Sequence, residues 1–178
     1  HIMALGQKNR SGALPYLYKA SQSVGSDAAK NTLPFDLIGG FYFEELDKVI
    51  AEIKALIASQ EKPGITEDEI KAIVAQIKAK TAMSNGISER AMDAFARAHS
   101  LAKDPAIKAR LKTNVETAHN VRFGKKEGVD AWIASAVTKP FVNPTTPVTP
   151  ISDPEPATTP AATTLPKTTS TGPATTKP

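Results

Sequence analysis

The sequence predicts an all-α protein, a compact bundle of about five helices with a flexible N-terminal arm and a disordered Thr/Pro-rich C-terminal tail. Three observations lead there. Apolar residues recur at spacings of three and four over long stretches, the period of one helix face. Helix-start and helix-stop residues punctuate those stretches. No segment shows strong strand alternation.

The organising element is the first long helix, within Thr32 to Gln60. Leu46, Val49, Ile50, Ile53, Leu56 and Ile57 fall on one broad face, with Glu44, Glu45, Asp47, Lys48, Glu52 and Lys54 between them. Upstream, Leu33, Phe35, Leu37, Ile38, Phe41, Tyr42 and Phe43 are too apolar to be left in water. They are expected to close the bundle formed by the later helices. Lys62-Pro63-Gly64 breaks the pattern. A capping box from Thr66 to Glu69 then starts a second helix, in which Ile70, Ile73, Val74 and Ile77 form the expected buried face. Glu67, Asp68 and Glu69 place negative charge at the positive end of its dipole. Asn85-Gly86 reads as a left-handed stop, and Ser88 as the cap of a third helix that turns Ala91, Met92, Phe95, Ala98 and Leu101 inward. Asp104-Pro105 opens a fourth, burying Ile107, Leu111, Val115 and Ala118. Gly124 and Gly128 flank a basic turn. Val129, Trp132, Ile133, Ala136 and Val137 form a short fifth helix, stopped at Lys139-Pro140.

The two ends differ from this body. His1-Ile2-Met3 reads as a cloning remnant, and residues 1–30 as a mostly flexible arm whose apolar knot, Leu14 to Tyr18, docks as a short helix. The helical domain is expected over residues 31–141. Residues 142–178 hold nine of the fourteen prolines and few large apolar side chains, too few to offset the entropy of ordering. An O-glycosylated surface stalk is the preferred reading of that composition, with an interdomain linker as the alternative.

Composition narrows the chemistry. The chain of 178 residues has no Cys, so disulfides, thiolate ligands and a Cys nucleophile are excluded. A net charge of +4 slightly favours acidic surfaces. No run of eighteen apolar residues is present to span a membrane. Apart from His1, the histidines are His99 and His119, on separate helices with no carboxylate at metal-ligand spacing. Ser, Thr and Lys lack an evident activating partner. Catalytic, cofactor-binding and metal-binding residues are therefore assigned to none, and the expected function is binding without chemistry. Two features could bind. One is the basic corner of Arg122, Lys125 and Lys126 with Trp132 nearby, suited to acidic glycans or acidic protein patches; ordinary solvated surface charge is the favoured reading for any single residue there. The other is the apolar cluster of Phe35, Leu37, Phe41, Tyr42 and Phe43, read as core packing, with a lipid gate as the alternative. Asn9-Arg10-Ser11 matches the N-glycosylation acceptor pattern at Asn9.

Asn31-Thr32-Leu33-Pro34-Phe35-Asp36 followed by Phe41-Tyr42-Phe43-Glu44, with the Cys-free helical body and the Thr/Pro-rich tail, resembles the merozoite surface antigens of Babesia. That resemblance implies secretion through a signal peptide and a glycosylphosphatidylinositol (GPI) anchor on the outer face of the parasite plasma membrane. It also implies a host erythrocyte surface receptor as partner, and a shed soluble form is compatible with it. No nucleic-acid partner is expected. The family offers no receptor-contact motif to carry over, so Arg122, Lys125, Lys126 and Trp132 are candidates from charge and aromaticity alone. The first reading is an erythrocyte-binding adhesin. The alternative is a secreted helical carrier of lipid or small apolar ligands.

Overall fold

The computed structural model describes residues 10–23 and 31–154. These form five helices and no strand: α1 (Arg10–Gln22), α2 (Thr32–Gln60), α3 (Glu67–Leu101), α4 (Pro105–Phe123) and α5 (Val129–Ala136). Asn9 and residues 155–178 lie outside the described residues. The all-α bundle expected from periodicity is present, but its helices are divided differently.

The axis is α3. Its 35 residues extend about 50 Å at 1.5 Å per residue. The capping box forms as read, with Thr66 Oγ1 accepting from the Glu69 amide at 3.3 Å and the Thr66 amide donating to Glu69 Oε2 at 2.8 Å. Those bonds hold the Glu69 carboxyl below the usual carboxylate range. The expected break at Asn85-Gly86 does not occur. Both residues are buried within the helix, Gly86 is not among the positive-φ glycines, and Ser88 is fully buried mid-helix instead of capping. The reason is tertiary. Asn85 Nδ2 donates to the Ile151 carbonyl at 2.9 Å, and the missing Cβ of Gly86 makes room for the backbone of Thr149. Residues that would end a helix in water here accommodate a crossing chain.

Full burial on α3 begins only at Ala82. Ala91, Met92, Ala94, Phe95, Ala96 and Ala98 are sealed against the N-terminal half of α2, which contributes Phe35, Ile38, Tyr42 and Leu46. The α2–α3 approach is close because Gly39 has no side chain: a Cβ there would stand 2.6 Å from the Phe95 ring. Phe43 meets Phe95 edge-on at 4.8 Å. Leu111, Val115 and Ala118 of α4 and Val129, Ile133 and Ala136 of α5 complete the core. The cluster from Phe35 to Phe43 is thus core packing, with Phe35 and Tyr42 buried and Leu37, Phe41 and Phe43 packed against the core. Ile107, expected inside, is exposed, and Val137, expected in the last helix, is exposed just past its end.

The apolar knot does dock as a helix. Ala13, Leu14 and Leu17 of α1 join the core, and Arg10 pairs with Glu44 at 3.0 Å. Residues 142–154, expected to be disordered stalk, instead lie as an extended strap along α3. The head therefore includes α1 and this strap. In the other direction, α2 and α3 run beyond the core as a two-helix arm. No residue from 47 to 81 is buried, so the expected buried face of Ile70, Ile73, Val74 and Ile77 is covered only in part. Ile73 and Ile77 are half-buried, whereas Ile70 and Val74 are exposed.

His99 gives the fold a pH dependence of defined sign. Burial and then the charges of Lys108 and Lys112 push its pKa below the usual value, and Asp130 only partly opposes them. Its Nδ1 is enclosed with no hydrogen-bond partner among the described residues. The unfolded chain therefore takes up the proton first. Stability is present above about pH 6.5, the unperturbed histidine value, and is lost as pH falls through the lower folded value. Melting temperatures measured from about pH 7.5 to 5 should fall in the wild type and fall less in His99→Gln. Identical slopes would remove His99 as the source.

Candidate binding site

A cleft of about 240 Å³ opens where α3, α5 and the strap meet. Its construction begins with three arginines that hold the chain after α5. Arg97 Nη2 donates to the carbonyls of Ala136 at 2.5 Å and Lys139 at 2.6 Å, closing the end of α5. Its guanidinium also stacks over Phe141 at 5.1 Å, and Phe141 packs edge-on against Phe35 at 5.0 Å. About two turns earlier on α3, Arg90 reaches the Asn143 carbonyl at 3.4 Å and Thr146 Oγ1 at 3.2 Å. Pro144 is buried beneath this turn. The strap then passes Gly86, and the Ile151 amide donates to the Ala82 carbonyl at 2.8 Å. Arg122 at the end of α4 pins the far end, bonding Asp153 at 2.7 Å and Glu89 at 3.0 Å. The strap thus runs antiparallel to α3, from Arg97 toward the base of the arm.

Between these clamps the cleft is lined by Glu89, Arg90 and Asp93 of α3, Trp132 and Ser135 of α5, and Lys139. Burial pushes the Asp93 carboxyl above the usual range, and the charges of Arg97, Arg90 and Lys139 only partly offset it. Asp93 also accepts from Arg97 Nε at 3.2 Å, so it orients the arginine that fixes the end of α5. Trp132 is half-buried, backed by Phe123 at 6.0 Å and by the His119 ring at 6.5 Å. His119 is in turn fixed by a 2.7 Å hydrogen bond between Nδ1 and the Lys125 carbonyl. The result is an aromatic wall beside charges of both signs, held by a rigid frame. Such a surface can recognise a polar ligand with one apolar face by stacking and charge-assisted hydrogen bonds.

The basic corner is only partly assembled. Arg122 is an internal brace with an 8% exposed side chain. Burial works against its charge, and the bonds to Asp153 and Glu89 outweigh that effect, leaving its pKa raised. Lys125 and Lys126 are exposed on the turn, Lys126 lying 4.0 Å from Glu116. Trp132 lines the cleft instead. The neighbouring cations are largely balanced, since Arg110 pairs with Asp36 at 2.7 Å and Lys112 with Asp130 at 2.7 Å. Sequence reasoning missed Arg90, Asp93 and Arg97. The signal available was their spacing of three and four, which puts two cations and a carboxylate on one stripe of α3 beside an otherwise apolar face.

Among the described residues no group of three His, Asp or Glu side chains is placed to hold a metal ion, and no helix is long and apolar enough to cross a membrane. The chain matches no family model, no curated protein and no solved structure.

Proposed function

We propose that the chain is a cell-surface adhesin whose helical head binds the erythrocyte surface through the cleft between α3, α5 and the strap. The observation that carries this reading is the cleft's composition: Trp132 stands beside Lys139 and Arg90, in a frame already fixed by arginine–carbonyl bonds. A preformed site loses little conformational entropy on binding. An aromatic face with adjoining cations suits acidic saccharides, which present both an apolar ring face and a negative group. The resemblance of residues 31–44 to merozoite surface antigens supports the cell-surface role, and the Thr/Pro-rich composition beyond the strap suits a spacer below the head. Many copies on one surface would supply avidity to weak single contacts.

The test is binding of the purified chain to intact erythrocytes at two ionic strengths. Lys139→Glu should lower the affinity about tenfold, the effect of about 1.4 kcal/mol. It should also flatten the salt dependence, because the screened attraction is gone. Lys125→Glu with Lys126→Glu separates the cleft from the exposed turn and should have the smaller effect. Arg122 is unsuitable for that comparison, since reversing it leaves Glu89 and Asp153 facing a third carboxylate. Saturable binding that is indifferent to Lys139 would refute the cleft. Absence of saturable binding by the wild type would refute the adhesin reading.

A further inference from the structure

The two-helix arm is an unfinished bundle. It carries Ile50, Ile53, Leu56, Ile57, Ile70, Ile73, Val74 and Ile77, yet none of them is buried. Two antiparallel helices can cover only a narrow seam, and the rest of each apolar stripe stays in water. Helical geometry decides where that remainder lies. Rotating away from the shared seam in the same sense leads to the same side of an antiparallel pair, so Ile50 and Ile57 of α2 share a face with Ile70 and Val74 of α3. The three with the greatest exposure are all on that side, Ile57 at 46%, Val74 at 39% and Ile70 at 37%.

We infer that this face binds the same face of a second copy of the chain, forming an antiparallel four-helix bundle in which each arm tip lies at the base of the other arm. Charge selects both the occupant and the orientation. The outer half of the arm carries Glu61, Glu67, Asp68 and Glu69 against Lys62 and Lys71, an acidic surplus. The inner half carries Lys48, Lys54, Lys78 and Lys80 against Asp47, Glu52 and the Glu45 that pairs with Lys48, a smaller basic surplus. Antiparallel pairing sets acidic tip on basic base at both ends, which is the self-complementarity a two-fold interface requires. Parallel pairing would set like on like. The chain's own remaining residues offer little substitute, since residues 155–178 contain a single large aliphatic side chain, Leu165, and residues 1–9 and 24–30 add only the scattered Ile2, Met3, Leu5 and Val24. This inference is independent of what the head binds.

The interface is small. An arm roughly 21 Å long and two helices wide presents about 400 Å² a side, below the size of tight complexes, so the dissociation constant should be on the order of 100 µM. Sedimentation equilibrium of the full chain from about 10 µM to 1 mM should show its mass rising toward the dimer. Ile57→Glu with Val74→Glu should hold it monomeric. Lys54→Glu, which leaves the apolar face intact, should weaken association several-fold and remove part of its salt sensitivity. The chain contains no Cys, so a spin label on Lys62→Cys reports orientation alone. Tip-to-tip separation should be roughly 25–30 Å in the antiparallel dimer and under about 15 Å in a parallel one. A monomer at every concentration, or a dimer indifferent to Ile57→Glu with Val74→Glu, would overturn the proposal. A short tip-to-tip distance would overturn its geometry.

Discussion

Phe95→Ala should cost about 3–5 kcal/mol, a large part of the about 5–15 kcal/mol that stabilises an ordinary domain. Phe95 is 1% exposed at the crossing of α2 and α3, edge-on to Phe43, and its ring fills the space left by the missing side chain of Gly39. Removing it loses both the transfer energy of the ring and the contacts of everything that lined it. Urea unfolding should show a lower midpoint with an unchanged slope, as expected when stability changes and the exposed area does not. A second substitution makes the claim specific to this contact. Gly39→Ala should destabilise the wild type by about 1–3 kcal/mol, because its Cβ would stand 2.6 Å from the ring. In the Phe95→Ala background the same change should be neutral or favourable, since alanine is the better helix former and the cavity accepts a methyl group. Additive effects of the two substitutions would refute the packing described for this crossing.

The second large effect concerns the strap. Gly86→Ala should cost about 1–3 kcal/mol in the full chain, because its Cβ would collide with the Thr149 carbonyl and stand 2.9 Å from Val148 Cγ1. Helix α3 itself should tolerate the change, as Gly86 is helical and alanine raises helix propensity by about 1 kcal/mol. The two contributions separate in a chain ending at Phe141, where Gly86→Ala should become neutral or stabilising. Amide exchange provides the local readout. The Ile151 amide, bonded to the Ala82 carbonyl, should be protected in the wild type and exchange rapidly in Gly86→Ala. Protection unchanged by the substitution would mean that the strap is not held at Gly86. The same measurement bears on the cleft, because a released strap removes one of its walls.

Local signals were legible where both the signal and its partner lie within a few residues. The Thr66–Glu69 box and the Asp104 cap with its bonds to the Ala106 and Ile107 amides form as read, and the turn expected at Gly124 begins there. Asn85-Gly86 carried an equally clear local signal and gave the opposite outcome. Its side-chain amide and its missing Cβ are used by residues more than sixty positions away. The candidate site divides the same way. Trp132 could be seen as an aromatic near positive charge, but the sequence could not show that Arg122 is neutralised by Glu89 and Asp153. Those partners come from α3 and the strap, and only the folded chain brings the three together.

By itself the sequence determined the helical class, the apolar stripes and most helix boundaries, because periodicity and capping depend on neighbours within one or two turns. It also determined that residues 142–154 have too little apolar surface to fold alone. Tertiary structure decided what those facts become. The strap is ordered because Arg90 and Arg122 bond its carbonyl and carboxylate oxygens, because Arg97 and Phe141 fix the chain that leads into it, and because Pro144 and Val148 find a surface already built by the helices. The arm, whose stripe is as regular as any in the chain, is left open because no third helix among the described residues lies beside it. Periodicity states that a face is apolar. Only the placement of the other elements states whether anything covers it.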